Sequence, residues 1–162
     1  MCSFFTDEFF QDNLTLAVLQ SKYINNANEY YDRIKEVLLD EGIVLDYESK
    51  EKWTIQFTAE NLLYKISIDY SMQVVHLITK LPNITISPEK RAETTDFLKN
   101  TELHIPLGRF DLPSDGTIWF NISYSFVNQE FNKVSFLLLL YWMELFSNLY
   151  WKDIFNWQQM NK

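Results

Sequence analysis

Three polar side chains, Ser67, Asp69 and His76, have the residue types of a catalytic triad. In a triad the histidine takes the proton of the serine hydroxyl while the aspartate orients the imidazole ring. The alternation of apolar and polar residues around them predicts that all three lie on the polar face of one sheet. Asp69 is then paired with Val74, so it is displaced along the sheet and cannot reach His76 squarely. We interpret the group as a solvated sheet face and predict no catalytic residues.

Two pairs of acidic residues could exchange protons or bind a cation. Asp40 is followed by Glu41, and Asp46 lies two residues before Glu48. A calcium ion takes about six to eight oxygen ligands, and no further acid stands at a spacing that completes such a cage. We interpret both pairs as solvated charge.

The chain has one cysteine, Cys2, and two histidines, His76 and His104. One cysteine cannot form an internal disulfide, and these three residues are too few for a zinc cluster. No neighbouring group in the sequence would activate the Cys2 thiol. We therefore predict a cytoplasmic protein without a bound metal.

Glycine is scarce, with only Gly42, Gly108 and Gly116 in 162 residues, and no two of them have a phosphate-binding spacing. Walker loops and dinucleotide-binding turns need clustered glycines, because backbone amides must come close to phosphate. Both kinds of nucleotide site are excluded, and we predict no cofactor.

The formal net charge is −8, and the longest basic run is Lys90-Arg91. A nucleic-acid surface needs a basic patch that displaces counterions from phosphates, so we predict no nucleic-acid partner. Asp7 and Glu8 stand where a signal peptide is apolar. The longest apolar run, residues 136–143, is shorter than the roughly 20 residues that span a bilayer. We expect no membrane insertion.

The sequence predicts three helices. The first covers about residues 27–41, because residues 26–29 (Asn-Ala-Asn-Glu) have the form of a capping box and Gly42 ends the apolar periodicity. The second begins at residues 87–89 (Ser-Pro-Glu), which supply an N-cap and a first-turn proline, and continues to about residue 100. The third begins near Gln129.

Two groups of strands lie between the helices. Ile55, Ile66 and Leu77 fall in alternating segments that turns at residues 60–61 and 71–72 bring into one row of a three-stranded antiparallel meander. A hairpin follows the second helix. Phe110 and Phe120 share its apolar face if the loop has three residues, 114–116, with a left-handed glycine at its end.

The last helix is apolar around most of its circumference, so one face of a single domain cannot cover it. Such a helix is either sandwiched inside the monomer or meets a second chain. We predict a homodimer and a protein-binding surface. Four apolar residues on the side that also carries the polar residues are our candidate interface: Leu137, Leu140, Tyr141 and Trp151.

We predict that residues 1–25 form an N-terminal arm and that residues 26–162 form one domain. The arm contains several phenylalanines and leucines, and its type is ambiguous. We favour a helical or extended arm packed on its own domain. An arm that is swapped or that binds a partner remains open.

The chain contains 13 phenylalanines, nine tyrosines and five tryptophans. Four large apolar side chains could line a pocket for a small apolar ligand between the last helix and the sheet: Trp119, Phe136, Trp142 and Met143. Because dense aromatic packing is more often plain core, we keep ligand binding as an alternative.

The order of helix, three strands, helix, two strands and helix resembles that of type III secretion chaperones. Residues 69–119 also resemble the YbjN-like family of proteins with this fold. The matching features are Leu81-Pro82 at a strand end, residues 87–91 (Ser-Pro-Glu-Lys-Arg), 97–100 (Phe-Leu-Lys-Asn) and 107–112 (Leu-Gly-Arg-Phe-Asp-Leu), then Asp115-Gly116 before Ile118-Trp119-Phe120. The arm and the aromatic last helix lie outside the resemblance.

The resemblance implies a non-enzymatic protein, commonly dimeric, that acts as a chaperone or regulator by binding other proteins. It supplies no catalytic residues. We predict an α+β, secretion chaperone-like fold with an extra N-terminal arm, and a protein-binding function through apolar and aromatic surfaces. The alternatives are a small apolar-ligand-binding protein and a true secretion chaperone for an effector.

Overall fold

A computed structural model describes the backbone of residues 6–160 and the side chains of residues 16–160. It shows an α+β fold, as predicted. Three helices are present in this part of the chain: α1 (Thr6–Asp40), α2 (Arg91–Glu102), preceded by a 3-10 turn at Pro88–Lys90, and α3 (Lys133–Met160). The strands are β1 (Leu45–Ser49), β2 (Thr54–Ala59), β3 (Leu62–Asp69), β4 (Val74–Thr85), β5 (Arg109–Asp111) and β6 (Thr117–Ser125). They form one antiparallel sheet in the order β1-β2-β3-β4-β6-β5.

The predicted register of the meander is confirmed. Ile66 lies opposite Ile55 on one side and Leu77 on the other. Glu60 and Asn61 connect β2 to β3 with φ values of 49° and 67°, the left-handed pair expected in a type I′ hairpin turn. A slip of one residue would turn the buried side chains to the opposite face, so the alternation fixes the register.

The predicted second hairpin is also confirmed. Phe110 lies opposite Phe120, and Gly116 has φ of 77°. A Cβ atom at Gly116 would overlap the carbonyl oxygen of Ile86. The Ile86 amide donates a hydrogen bond of 2.8 Å to the Gly116 carbonyl, which joins the segment after β4 to this turn.

Strand β1 was not predicted, so the expected three-stranded meander has four strands. The segment is short and its side chains are mostly polar, with sequence Leu-Asp-Tyr-Glu-Ser, so it lacks a clear apolar alternation. It pairs with β2 through a bulge between Leu45 and Tyr47. Its position makes β1 one edge of the sheet.

The first helix is longer than predicted, because α1 begins at Thr6 rather than near residue 27. Asn26 lies inside the helix, and its amide donates to the Gln73 side chain instead of capping an end. The 35 residues of α1 rise about 52 Å. The six and eight residues of β2 and β3 span only about 20–27 Å, so the N-terminal half of α1 continues beyond them. Residues 6–25 of the expected arm belong to this helix, and residues 1–5 lie outside the described residues.

Helices α1 and α3 share the core with the sheet. Buried side chains of both helices join the apolar face of β2, β3, β4 and β6 in one cluster. Helix α2 lies beside β5, where the Glu102 carboxylate accepts a 2.6 Å hydrogen bond from the Phe110 amide. Phe97 of α2 stacks on Trp157 of α3 with ring centroids 4.8 Å apart. Within residues 6–160, no helix is long and apolar enough to cross a membrane.

Candidate protein-binding surfaces

The triad-like side chains make contacts that differ from those of a catalytic triad. Ser67 and His76 are opposite each other on β3 and β4, and His76 Nδ1 lies 2.9 Å from the Ser123 hydroxyl on β6. Asp69 accepts hydrogen bonds from the Ser71 hydroxyl at 2.6 Å and from the Ser71 and Met72 amides. These hydrogen bonds hold the pKa of Asp69 below its usual range, and the bond from the Ser71 hydroxyl has the largest effect. The Asp69 carboxylate therefore stabilises the β3–β4 turn.

The acidic pairs have partners of their own. Asp40 and Glu41 both approach Lys133, at 3.5 and 3.4 Å. Asp46 accepts a 2.8 Å hydrogen bond from the Thr58 hydroxyl. Among the side chains of residues 16–160, no group of three or more histidine, cysteine, aspartate or glutamate residues is placed to hold a metal ion.

Helix α3 has two apolar faces. Phe136, Met143 and Ile154 are buried against the sheet. On the opposite side, apolar residues at successive spacings of four, three, four and four lie within one narrow strip along the helix. They are 39% to 75% exposed, and we call them the outer stripe of α3: Val134, Leu138, Tyr141, Leu145 and Leu149.

The four residues predicted as an interface do not all lie on the exposed side of α3. Tyr141 is exposed and belongs to the outer stripe. Leu137 and Leu140 are half-buried at the flanks of the core. Trp151 is also half-buried, donates a 2.9 Å hydrogen bond to the Pro82 carbonyl and stacks on Phe155. The helix therefore presents Tyr141, but not the whole predicted set, as part of an open surface.

The other stripe residues could have been found from the sequence. The helix has two apolar strips about half a turn apart, and only one of them can face the sheet. The predicted interface lies on the side of the helix that has the most polar residues, among them Ser147, but Ser147 is fully buried. The four-three-four spacing from Val134 to Leu145 is the sequence signal that marks the second apolar strip.

The four residues predicted to line a ligand pocket do not surround one space. Phe136 and Met143 are 5% and 1% exposed and belong to the core. Trp119 precedes Phe120 on β6, so its ring lies on the reverse face of the sheet, where the Lys80 ammonium is 6.0 Å from the ring centroid. Trp142 stacks on Phe146 of its own helix. The pocket between helix and sheet is therefore not formed by these four residues.

A second apolar surface lies at the open edge of the sheet. Among the strands of residues 6–160, β1 pairs with β2 on one side and has no strand on the other. Leu39 near the end of α1, Val44 just before β1 and Tyr47 in β1 are 52%, 79% and 43% exposed. We call these three residues and the free side of β1 the β1 edge surface.

The part of α1 beyond the sheet is a third exposed region. Leu16, Val18 and Leu19 are exposed. The Gln73 side chain donates to the Tyr23 carbonyl at 3.2 Å, and this contact lies where the helix passes the β3–β4 turn. The helix is therefore attached to the sheet from about this point towards its C-terminal end.

No protein-family model and no curated protein sequence matches the chain. Solved structures match its fold. YbjN from E. coli superimposes with a TM-score of 0.53 at 12% identity, over 70% of this chain and 82% of YbjN. The type III secretion chaperone SycH of Yersinia pestis, solved with a stable fragment of YscM2, gives a TM-score of 0.53 at 11% identity, over 74% of this chain and 98% of that one.

A chain of the ExsC–ExsE complex is similar to the same extent, with a TM-score of 0.51 at 12% identity over 82% of this chain and 93% of that one. The resemblance to YbjN and to type III secretion chaperones, inferred from the sequence, is thus confirmed for the fold. Identities near 12% carry no residue roles from these proteins to this chain.

Proposed function

We propose that the protein is a non-enzymatic, cytoplasmic protein-binding module of the chaperone or regulatory kind and that it works as a homodimer. The observation that carries the proposal is the β1 edge surface, where exposed apolar side chains flank an unpaired strand. The neighbours in fold support it, because SycH and the ExsC–ExsE assembly were both solved with a protein partner.

The open edge of β1 suits an extended partner segment. An edge strand has free N–H and C=O groups, and a segment that adds as a further strand satisfies them. Its alternate side chains would contact Val44 and Tyr47, which are exposed beside those groups.

Charge favours a basic partner segment at this edge. Asp46 and Glu48 lie on β1, and Glu48 is bound by Lys35 at 2.5 Å. The chain as a whole has a net charge of −8. Acidic side chains would repel a second β1 edge and attract lysine or arginine, so we expect an apolar segment with basic residues.

Affinity capture from the source cell, with the partner segment then mapped and synthesised, tests this function. We expect the wild-type protein to bind the segment and to show slower amide exchange in β1. A Val44→Asp, Tyr47→Asp variant should lose at least tenfold in affinity.

The matched control is Val127→Asp, at a residue that is 49% exposed and lies outside β1. This variant should bind normally. A segment that binds the edge variant as tightly as the wild type would remove the β1 assignment. The absence of any protein captured reproducibly would remove the proposed function itself.

A secretion chaperone for an effector is a narrower form of the proposal, favoured by the likeness in fold to SycH. It requires that the captured protein is itself exported. A captured partner that stays in the cytoplasm of intact cells would contradict the role of secretion chaperone and would support a regulatory role.

A further inference from the structure

We infer that the outer stripe of α3 binds the outer stripe of a second copy of this chain, with the two helices antiparallel. This inference rests on the homodimer proposed above and assigns its surface and geometry. It starts from the five exposed apolar residues, Val134 to Leu149, which lie opposite the face that packs on the sheet. Water is the alternative environment for these side chains, and burying them is favourable.

The stripe is complementary to itself when it is reversed. With a two-fold axis beside Tyr141, Val134 of one copy lies opposite Leu149 of the other. Leu138 then lies opposite Leu145, and the two Tyr141 rings meet at the axis. Each half of the pairing repeats the other, as an isologous interface requires.

The apolar area is sufficient for a dimer. From the exposed fractions, the five side chains present on the order of 500 Å² in one copy and about 1,000 Å² in a pair. A specific interface buries about 1,000 Å² or more in total. Neighbouring side chains at the rim of the stripe would add to this area.

Charge favours the antiparallel arrangement. Near the first turn of α3 are the exposed acids Glu130, Asp40 and Glu41, of which the last two bind Lys133. Lys152 is exposed three residues beyond Leu149, in line with the stripe. An antiparallel pair places Lys152 of one copy beside Glu130 of the other, whereas a parallel pair places the acidic ends together. Antiparallel helix dipoles add to the preference.

Analytical ultracentrifugation tests the surface. We expect the wild-type chain to be a dimer, and Leu138→Glu and Leu145→Glu each to weaken it at least tenfold, because each buries a carboxylate among apolar side chains. The matched control is Met72→Glu, at a methionine that is 66% exposed in the β3–β4 turn, and it should leave the dimer unchanged. Lys152→Glu should weaken the dimer about threefold, and adding Glu130→Lys should restore it.

Cysteine cross-linking tests the geometry in a Cys2→Ser background. Tyr141→Cys should form a disulfide with itself in the second copy. Val134→Cys should not cross-link to itself but should cross-link to Leu149→Cys when the two variants are mixed.

Three contrary results would each contradict a different part of the proposal. A wild-type chain that stays monomeric removes both the stripe interface and the homodimer, while binding at β1 is tested separately by the captured segment. A dimer that tolerates both glutamates removes the stripe as its surface. Self-cross-linking at residue 134 removes the antiparallel arrangement.

Discussion

Single residues are constrained most strongly where the backbone has a left-handed conformation. Gly108 has φ of 103°, and a Cβ atom there would lie 2.5 Å from Cζ of the buried Phe120. Gly42 has φ of 76° at the end of α1, but nothing lies within 4 Å of the equivalent position. The two glycines share a conformation and differ in their packing, so they separate the cost of backbone strain from the cost of crowding.

We expect Gly108→Ala to destabilise the protein by about 3 kcal/mol, because left-handed strain adds to overpacking against Phe120. Gly42→Ala carries only the strain and should cost about 1 kcal/mol. Urea unfolding followed by tryptophan fluorescence measures both values. Equal losses in the two variants would show that the Phe120 ring moves aside without cost.

A carboxylate on α3 predicts a dependence of stability on pH. Partial burial raises the pKa of Glu144, and the nearby Glu60 carboxylate adds to the effect. The folded protein therefore holds a proton that the unfolded chain releases near pH 4.5, so stability falls as the pH rises through the folded pKa.

We expect Glu144→Gln to be more stable than the wild type at pH 7 by about 0.3 kcal/mol, because solvent screens most of the repulsion, and equal to it below pH 4. Thermal unfolding across this pH range measures the difference. Lys35→Gln, which removes an unrelated exposed ion pair, serves as the control and should not abolish the trend. A variant that is less stable than the wild type at pH 7 would contradict the assignment.

At the scale of elements, the sequence predicted the strands better than the helices. Side chains of β2, β3 and β4 alternate because one face is buried, so the rows of Ile55 and Phe57 could be placed by counting. Strand β1 was not predicted, because its polar residues show no apolar alternation and form a strand only by pairing with β2. The start of α1 was misplaced because Asn26, which has the residue type of a cap, instead bonds to Gln73 far along the chain.

Gln73 is the residue that joins three elements. It is 3% exposed, its side-chain amide donates to the Tyr23 and Tyr70 carbonyls, and its backbone carbonyl accepts from the Phe126 amide. Sequence patterns could not identify it, because a glutamine in a turn is ordinarily exposed.

We expect Gln73→Ala to cost about 2 kcal/mol and to speed amide exchange in α1 around residues 20–28, since the helix loses its attachment where it passes the turn. Gln20→Ala, on the exposed side of the same helix, is the control. Hydrogen exchange with mass spectrometry compares the two. Unchanged exchange in α1 would show that its other contacts, such as the Asn28 side chain that accepts from the Trp53 indole, hold the helix without Gln73.

At the scale of the whole molecule, charge opposes the association that the apolar surfaces favour. Each copy has a net charge of −8, so two copies repel each other at long range. The composition therefore predicted an acidic chain with more apolar surface than one domain can bury, while the position of that surface needed the structure. Only Tyr141 of the predicted interface lies on the outer stripe, because the register of α3 on the sheet decides which apolar strip remains exposed.

We expect the dimer to tighten severalfold when sodium chloride is raised from about 0.05 to 0.5 M, because the Debye length shortens to a few ångströms and the repulsion is screened. The exposed contact of Lys152 with Glu130 would weaken under the same conditions, but such pairs contribute little. Sedimentation equilibrium at several salt concentrations measures the change. If the dimer dissociates as salt is raised, ion pairs and not the apolar stripe provide most of its binding free energy.

Because α1 extends past the sheet as one helix, its length sets how far its N-terminal end lies from the sheet. The number of residues also sets the direction in which that end faces. Each residue removed between the Gln73 contact and Thr6 shortens the helix by about 1.5 Å and rotates everything before it by about 100°. Deleting the seven residues 16–22 would draw the end in by about 10 Å and change its facing by only about 20°. Deleting five of them would turn it by about 140°. Deletions of chosen length can therefore change the distance of the helix end from the sheet with little change in the direction that it faces.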